Sequence, residues 1–202
     1  MMSPYVLVLY YSVHGSTEVL AKHIARGVES VEGIEARLRT VPKVSTSWDY
    51  KESEIPESGD LYCTEQDLID CAGLIYGSPT RFGNMASAMK YFWDGTANQW
   101  LNGQLINKPA GVFTSTSSMH GGQESTLLTM MLPLLHHGML VAGIPYNESA
   151  LHHTKSGGTP YGSSKLSPSG ESEHPPKLTD HEKSLAIAQG KRIATLAQQL
   201  TR

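Results

Sequence analysis

Residues 5–17 read YVLVLYYSVHGST, and this stretch decides the fold class of the chain. Its first six residues form a continuous apolar run, which is typical of a strand buried on both faces of a parallel sheet. Apolar residues then recur at helical spacing at Leu20, Ile24 and Val28. A short alternating stretch at 34–39 has the period of a second strand. The N-terminus is therefore predicted to be a βαβ unit, whose crossover should be right-handed.

The same alternation of strands and helices continues along the chain. Further buried strands are expected at 72–77, 109–113 and 139–142, separated by stretches of helical periodicity. The last helix is predicted to begin at the capping-box sequence Thr179-Asp180-His181-Glu182. Five strands that alternate with helices predict an α/β fold, a three-layer sandwich around a five-stranded parallel sheet with the flavodoxin-like order 2-1-3-4-5.

Residues 1–202 are expected to form a single domain with two additions. Residues 42–62 are polar and are interpreted as an insertion after the second strand. Residues 154–179, rich in Ser, Gly and Pro, are predicted to be a long polar loop before the last helix, and such loops are usually functional or disordered. One face of the helix after the fourth strand is apolar, with Leu128, Met131, Leu132 and Leu135.

Composition argues against several classes of protein. The chain has 16 Lys and Arg against 19 Asp and Glu, a net charge of −3, whereas nucleic-acid-binding domains usually carry a basic patch. No apolar run approaches the roughly 20 residues of a membrane span. The two cysteines, Cys63 and Cys71, cannot form a disulfide framework and fit a reducing cytoplasm. Neither His152 nor His153 has a Cys or carboxylate at zinc-site spacing, so no metal is expected.

The first loop of interest runs from Ser12 to Thr17, at the switch point where such sheets bind ligands. It carries three hydroxyl side chains and a glycine just before a helix, and backbone N–H groups with the helix dipole favour an anion there. The loop has no Lys or Arg, and the chain lacks the P-loop and dinucleotide glycine sequences. It predicts one terminal phosphate held by neutral donors. The plainer alternative is a strand-to-helix turn capped by Ser or Thr.

Two further loops should lie at the same edge of the sheet. Residues 78–84 (SPTRFGN) would place backbone amides beside an aromatic side chain, where a planar heterocycle could lie. The alternative is a turn with Asn84 as the helix cap. Residues 114–122 carry five hydroxyl side chains and two glycines. They could line a ring or a ribityl chain, or form a mobile surface loop.

Five stretches together resemble the WrbA family of flavodoxin-like, FMN-dependent NAD(P)H:quinone oxidoreductases. They are Tyr10-Tyr11-Ser12 with Gly15, TRFGNM at 80–85, GGQE at 121–124, HHGM at 136–139 and GGTPYG at 157–162. The resemblance covers nearly the whole chain. It implies the flavodoxin-like fold, an FMN cofactor and a cytoplasmic homotetramer with NAD(P)H dehydrogenase (quinone) activity, in which NADH or NADPH reduces a quinone.

The resemblance also implies a role for individual residues. The FMN phosphate would be held by Ser12, Val13, His14, Gly15, Ser16 and Thr17. The isoalloxazine ring would be held by Thr80, Arg81 and Phe82, with Pro79, Gly83 and Asn84 around them. The third loop would contribute Thr116, Ser117, Ser118, Met119, His120 and Gly121. His136 matches a flavin-contacting position and is the candidate catalytic residue, Trp100 matches a position near the substrate, and His14 matches one near the nicotinamide. Two departures are His14, where relatives often carry Tyr, and a third loop with fewer glycines.

The resemblance implies that FMN carries the redox chemistry while the protein binds and orients. Because the chain is too short for a separate nicotinamide domain, NAD(P)H and the quinone are expected to use one site in turn, each exchanging two electrons. His136 is expected to hydrogen-bond the flavin or to protonate the quinone. Two alternative functions are an electron-carrier flavodoxin, a class that is strongly acidic, and a non-enzymatic regulatory binding module.

Overall fold

A computed structural model of the chain describes residues 3–45, 47, 53, 55–167 and 176–201. The strands are β1 (Tyr5–Tyr10), β2 (Glu35–Thr40), β3 (Gly73–Arg81), β4 (Asn84–Met85), β5 (Pro109–Thr116), β6 (Leu140–Val141) and β7 (Ser163–Leu166). The helices are α1 (Ser16–Glu29), α2 (Glu65–Asp70), α3 (Ser87–Asp94), α4 (Ala97–Leu101), α5 (Gln123–His136), α6 (Ala150–His153) and α7 (Asp180–Leu200). None of the helices in this described part combines the length and apolar character needed to cross a membrane.

The sheet confirms the predicted strand order. Its strands lie in the order β2-β1-β3-β5-β6, and every pair along this path is parallel. This is the predicted order 2-1-3-4-5, because β4 is a two-residue strand that pairs antiparallel with the end of β3. β1 lies inside the sheet and all six of its residues are buried, as its continuous apolar run predicts.

Helices cover both faces of the sheet. Successive side chains of a strand point to opposite faces: Val6 and Val8 of β1 pack beneath α1 and α7, whereas Leu7 and Leu9 belong to the core beneath α3 and α5. α1 and α7 pack closely against each other. Their backbones approach so closely at Gly27 that a Cβ atom there would lie 2.1 Å from the carbonyl oxygen of Ile187.

The fifth strand position is shared by β6 and β7. β6 pairs with the first two residues of β5 and β7 with its last four. The expectation of a continuous polar loop over 154–179 is therefore wrong at β7, which is largely buried. The strand is hidden in the sequence because its buried residues are polar and find partners on distant helices: Ser164 Oγ donates to Gln123 Oε1 at 2.5 Å, and the backbone N–H of Ser163 donates to Gln189 Oε1 at 3.0 Å. Residues 168–175 of the predicted loop lie outside the described residues.

The insertion at 42–62 is described only in part, because residues 46, 48–52 and 54 lie outside the described set. The last residues of the insertion, 61 and 62, lie beside the end of β2. The backbone N–H of Thr40 donates to the carbonyl oxygen of Leu61, and that of Cys63 donates to the carbonyl oxygen of Thr40.

The apolar face expected on α5 points largely outward. Its side chains Leu128, Leu132 and Leu135 are 45%, 55% and 57% exposed, whereas the core receives Leu127, Met130 and Leu134. We call Leu128, Leu132 and Leu135 the α5 outer face.

Candidate active site

The first loop connects β1 to α1 and ends in an uncapped helix. Gly15 is the N-cap residue of α1, with a φ of +85°, and it has no side chain with which to cap the first turn. Its backbone N–H donates to Ser12 Oγ at 3.1 Å, which closes the turn. Within the described residues, the first N–H groups of α1 therefore have no side-chain cap and are available to an anion. The alternative of a turn capped by Ser or Thr does not fit this geometry.

The second loop is a tight hairpin between β3 and β4, not a strand-to-helix turn. Arg81 pairs with Asn84, and the two central residues, Phe82 and Gly83, both have positive φ, at 52° and 78°. This is the pattern of a type I′ turn, in which Asn or Gly is usual. Phe82 is fully exposed, so the hairpin presents an aromatic ring to solvent in a strained conformation. α3 begins after Ala86, so Asn84 is not its cap.

The third loop leads from β5 into α5, which also lacks a side-chain cap. Its N-cap residue is Gly122, with a φ of +110°. A Cβ atom on Gly122 would lie 2.9 Å from Thr80 Oγ1 and 3.2 Å from the Cα of Gly83, so the second and third loops meet there. The four residues 117–120 are exposed.

Two hydroxyl contacts hold the three loops together at one edge of the sheet. Thr17 Oγ1 lies 3.0 Å from Ser115 Oγ, which joins the start of α1 to the end of β5. Thr80 Oγ1 lies 2.7 Å from Thr126 Oγ1, which joins the hairpin to α5. The structure thus brings the first, second and third loops together. Thr17 is buried in this arrangement, so its hydroxyl stabilises the loop from inside the protein.

Three residues that contact the first loop and the start of α1 were not predicted as site residues from the sequence. Ser115 lies in the third loop as predicted, residues 114–122, but it was not among the individual residues assigned to the flavin, which began at Thr116. Ser167 follows β7, and its Oγ donates to Ser16 Oγ at 2.8 Å. Pro176 packs on Gly15, with its Cδ 3.1 Å from where a Cβ atom would stand. Ser167 and Pro176 were not predicted because only the tertiary structure places them beside the start of α1.

His136 and Trp100 lie together but away from the three loops. α5 starts at the carboxyl edge of the sheet and runs for 14 residues, about 21 Å, to His136. Just beyond that end, the backbone N–H of Leu140 donates to the carbonyl oxygen of Lys108, beside the start of β5. Trp100 Nε1 donates to the backbone carbonyl oxygen of His136 at 2.9 Å. Within one chain, these two residues are at the opposite edge of the sheet from the loops.

The second histidine of the pair is a structural residue. His137 is buried, and its Nε2 lies 2.9 Å from Thr96 Oγ1. Because that hydroxyl already donates to the carbonyl oxygen of Trp93, His137 Nε2 is the donor. Burial, and secondarily the neighbouring His136, lowers the pKa of His137. His136 is exposed, and it is the member of the pair that can reach a ligand.

The donor set of the loops fits a flavin mononucleotide. The N–H groups at the start of α1 suit a phosphate. α3 and α5 likewise begin without side-chain cap hydrogen bonds, after Ala86 and Gly122. The short helices α4 and α6 also lack them, whereas α2 and α7 have capping boxes. The hairpin amides and the hydroxyls of the third loop offer both donors and acceptors to the polar edge of a ring.

The chain matches a known family over most of its length. The family model of NADPH-dependent FMN reductases matches residues 4–153. A relative from Chromohalobacter salexigens, called NAD(P)H dehydrogenase (quinone), is 43% identical over 202 aligned positions, which cover 96% of this chain and 98% of the relative. A relative of the same name from Solidesulfovibrio magneticus is 38% identical with the same coverage.

Solved structures agree on the fold. The flavodoxin, WrbA-like protein from Agrobacterium tumefaciens superposes with a TM-score of 0.66 at 22% identity, covering 98% of this chain and 99% of that one. A flavodoxin from the domain Archaea gives a TM-score of 0.61 at 18% identity, covering 96% and 99%. The family model and the two relatives therefore show that the chain belongs to the NADPH-dependent FMN reductase family, and the solved structures agree with its flavodoxin-like fold.

Proposed function

We propose that this protein is an FMN-dependent enzyme that reduces quinones to hydroquinones with NADH or NADPH. The observation that carries the proposal is the convergence of three helix starts without polar side-chain caps, those of α1, α3 and α5, at the carboxyl edge of a parallel sheet. The names of the two curated relatives, both NAD(P)H dehydrogenases (quinone), support this reaction over electron carriage or regulatory binding.

Each loop has its own task in this proposal. The N–H groups that follow Gly15 hold the phosphate. The hairpin around Phe82 and Gly83 borders the ring on one side, and the third loop borders it on the other. The close contact between Gly83 and Gly122 keeps these two loops at a fixed separation, because a side chain at Gly122 would push them apart.

Bound FMN supplies the hydride and electron transfer, and the residues around the loops control what reaches it. Val13, Phe82 and Met119 are exposed apolar side chains of the three loops, beside exposed polar side chains that include His14, Arg81 and His120. A nicotinamide ring and a quinone ring are both flat and largely apolar, so each can use this surface, the entrance to the flavin, in turn. The order of events is therefore entry of NAD(P)H, its departure, and entry of the quinone.

His136 and Trp100 reach the flavin, in our proposal, from a neighbouring subunit of a homotetramer. Within one chain they lie at the wrong edge of the sheet to contact it. The surface beside them is apolar: Trp100 is 51% exposed and the α5 outer face adjoins it, since Trp100, Leu132 and His136 line one cavity. Burying this surface between copies of the chain is favourable. It would also bring His136 to a position from which it can bind the flavin or protonate a quinone.

We further propose that the protein works in the cytoplasm. Both of its cysteines, Cys63 and Cys71, are free thiols, and Cys71 is buried. NADH and NADPH, the reductants in this proposal, are intracellular cofactors, and unpaired cysteines are typical of that reducing compartment.

The decisive experiment follows the two half-reactions separately. The purified protein is loaded with FMN and mixed with NADH without oxygen, and the loss of flavin absorbance is followed. Benzoquinone is then added, and reoxidation is followed. Rapid bleaching and rapid recovery are expected. A protein that cannot be loaded with FMN overturns the proposal, and so does one that binds FMN but is reduced only by a separate reductase.

A further inference from the structure

In the part of the chain that the structure describes, two serine hydroxyls of the first loop accept hydrogen bonds but donate none. The backbone N–H of Gly15 donates to Ser12 Oγ at 3.1 Å, and Ser167 Oγ donates to Ser16 Oγ at 2.8 Å. Ser16 is the first residue of α1, where the phosphate is proposed to bind. A hydroxyl group has one proton to donate and two lone pairs that accept. The protons of Ser12 and Ser16 are therefore available to a ligand that accepts hydrogen bonds.

The backbone of Ser167 is held in place by two neighbouring elements. Its N–H donates to the carbonyl oxygen of Thr116 at 2.7 Å, which continues the pairing of β7 with β5. The preceding residue, Leu166, donates its N–H to Glu182 Oε1 of α7 at 3.0 Å. The hydroxyl of Ser167 therefore reaches Ser16 from a backbone that is fixed on both sides, although the two residues are 151 positions apart in the chain.

The end of β7 is anchored by the carboxylate of Glu182, which is 1% exposed. Its Oε1 accepts hydrogen bonds from the backbone N–H groups of Leu166 and Gly157, at 3.0 and 2.9 Å. Its Oε2 accepts one from the N–H of Thr179 at 2.9 Å. One carboxylate thus joins the start of α7, the end of β7 and the GGTPYG stretch at 157–162, which has no contact with the flavin in the proposed function. Through Glu182, this stretch helps to fix the end of β7.

A donated hydrogen bond restricts where the acceptor's own proton can point. The Ser167 proton occupies one lone pair of Ser16 Oγ, so the Ser16 O–H must point in another direction. A hydroxyl that accepts a hydrogen bond is also a stronger donor, because bonds in a chain polarise one another. We infer that Ser167 is a positioning residue of the phosphate site, which directs the Ser16 hydroxyl to donate to the FMN phosphate. The inference rests on the proposed placement of that phosphate at the start of α1.

A double-mutant cycle tests whether Ser167 acts through Ser16. The dissociation constants of FMN and riboflavin, which differ only in the phosphate, are measured by quenching of flavin fluorescence. The proteins are the wild-type apoprotein, Ser167→Ala, Ser16→Ala and the double variant. We expect Ser167→Ala to weaken FMN binding about fivefold, the factor that about 1 kcal/mol represents, and to leave riboflavin binding unchanged. In the Ser16→Ala background, Ser167→Ala should weaken FMN binding no further, because the hydroxyl that it positions is gone.

The matched control is Ser163→Ala in the same strand. Ser163 is fully buried, and its Oγ has no hydrogen-bond partner within the described residues, so both affinities should equal those of the wild type. Equal weakening of FMN and riboflavin by Ser167→Ala would mean a general structural role and would overturn the inference. Unchanged FMN binding would also overturn it, as would effects of Ser167→Ala and Ser16→Ala that simply add. A wild-type protein that binds both flavins equally would refute the phosphate placement itself, a result distinct from a failure of Ser167 alone.

Discussion

Trp100 Nε1 donates a hydrogen bond to the backbone carbonyl oxygen of His136, with 2.9 Å between nitrogen and oxygen. The bond joins α4 to the end of α5 and holds together two residues that the family resemblance assigns to the flavin and its substrate. In a single chain both are separated from the flavin-binding loops by the length of α5. This arrangement supports our proposal that the pair contacts the flavin as one unit from a neighbouring subunit.

Complementation between two inactive variants tests this arrangement. Gly15→Val should abolish FMN binding, because a β-branched residue cannot adopt the positive φ at that position. Trp100→Ala should keep FMN but lose most quinone reduction. In oligomers assembled from both variants, an intact loop can meet an intact Trp100 of its neighbour. We expect activity to recover to about one quarter of the wild-type value, the chance of that pairing in a symmetric assembly. A mixture no more active than the two variants apart would place both functions in one chain.

The α5 outer face should control assembly. Leu132→Glu would place a charge in the apolar surface that copies of the chain are proposed to bury, and burying an unpaired charge is strongly unfavourable. We expect the variant to elute in size-exclusion chromatography near the 22.0 kDa of one chain, to bind FMN through its intact loops, and to lose quinone reduction. Lys191→Glu, at an exposed position of α7, is the control and should behave as the wild type. An unchanged elution volume for Leu132→Glu would show that this face is not the interface.

Phe82 should lower the stability of the apoprotein and strengthen its binding of FMN. A bulky residue with a φ of 52° costs about 1–2 kcal/mol, and the ring has no packing contacts to lose because it is fully exposed. Phe82→Asn should therefore raise the free energy of unfolding of the apoprotein by about 1 kcal/mol. It should also weaken FMN binding, since the ring is proposed to border the flavin. Denaturant unfolding and flavin titration measure the two effects. A variant that gains stability with no loss of FMN affinity would remove Phe82 from the site.

His14 should influence nicotinamide affinity. It is exposed at the first loop, at a position that the family resemblance places near the nicotinamide. A larger aromatic face at the entrance should improve stacking on the nicotinamide by an amount typical of aromatic contacts, about 0.5–1 kcal/mol. His14→Tyr should then lower the KM for NADH about threefold without changing FMN affinity. Identical steady-state kinetics for variant and wild type would refute a contact between His14 and the nicotinamide.

Asp67 should make the fold sensitive to acid. Burial on its own would raise the pKa of its carboxyl group, but hydrogen bonds from Arg39, Thr64 and Arg37 outweigh burial and hold the pKa at about 2, below its usual 3.8. A depressed pKa contributes stability above about pH 4, and this contribution is lost as the pH falls toward about 2. We expect Asp67→Asn to lower the free energy of unfolding by about 2 kcal/mol at neutral pH, with the difference shrinking between pH 4 and 2. The exposed Asp70→Asn is the control. A difference that does not vary with pH would contradict the assignment.

Much of the fold could be predicted because periodicity is a local property. Three predictions from the sequence are confirmed: the buried strand β1, the capping box of Thr179 and Glu182, and the parallel strand order. β7 was missed because its buried residues are polar and are satisfied by distant partners such as Gln123 and Gln189. The sequence also did not predict that the α5 outer face points away from the core. An apolar stripe on a helix indicates that the stripe is buried, but it does not indicate whether the core or another subunit buries it.

The sequence by itself determined the fold class, the three loops and the type of ligand, because turn glycines, hydroxyls and alternating apolar residues act within a few positions of one another. Only the tertiary structure decided which of the candidates share a site. Ser115 contacts Thr17 because β5 ends beside the start of α1, and Ser167 contacts Ser16 because β7 pairs with the end of β5. His136 and Trp100 are carried to the opposite edge by the length and direction of α5. Strand pairing and helix direction bring together residues that are far apart in the chain, and no local sequence pattern indicates which of them will meet.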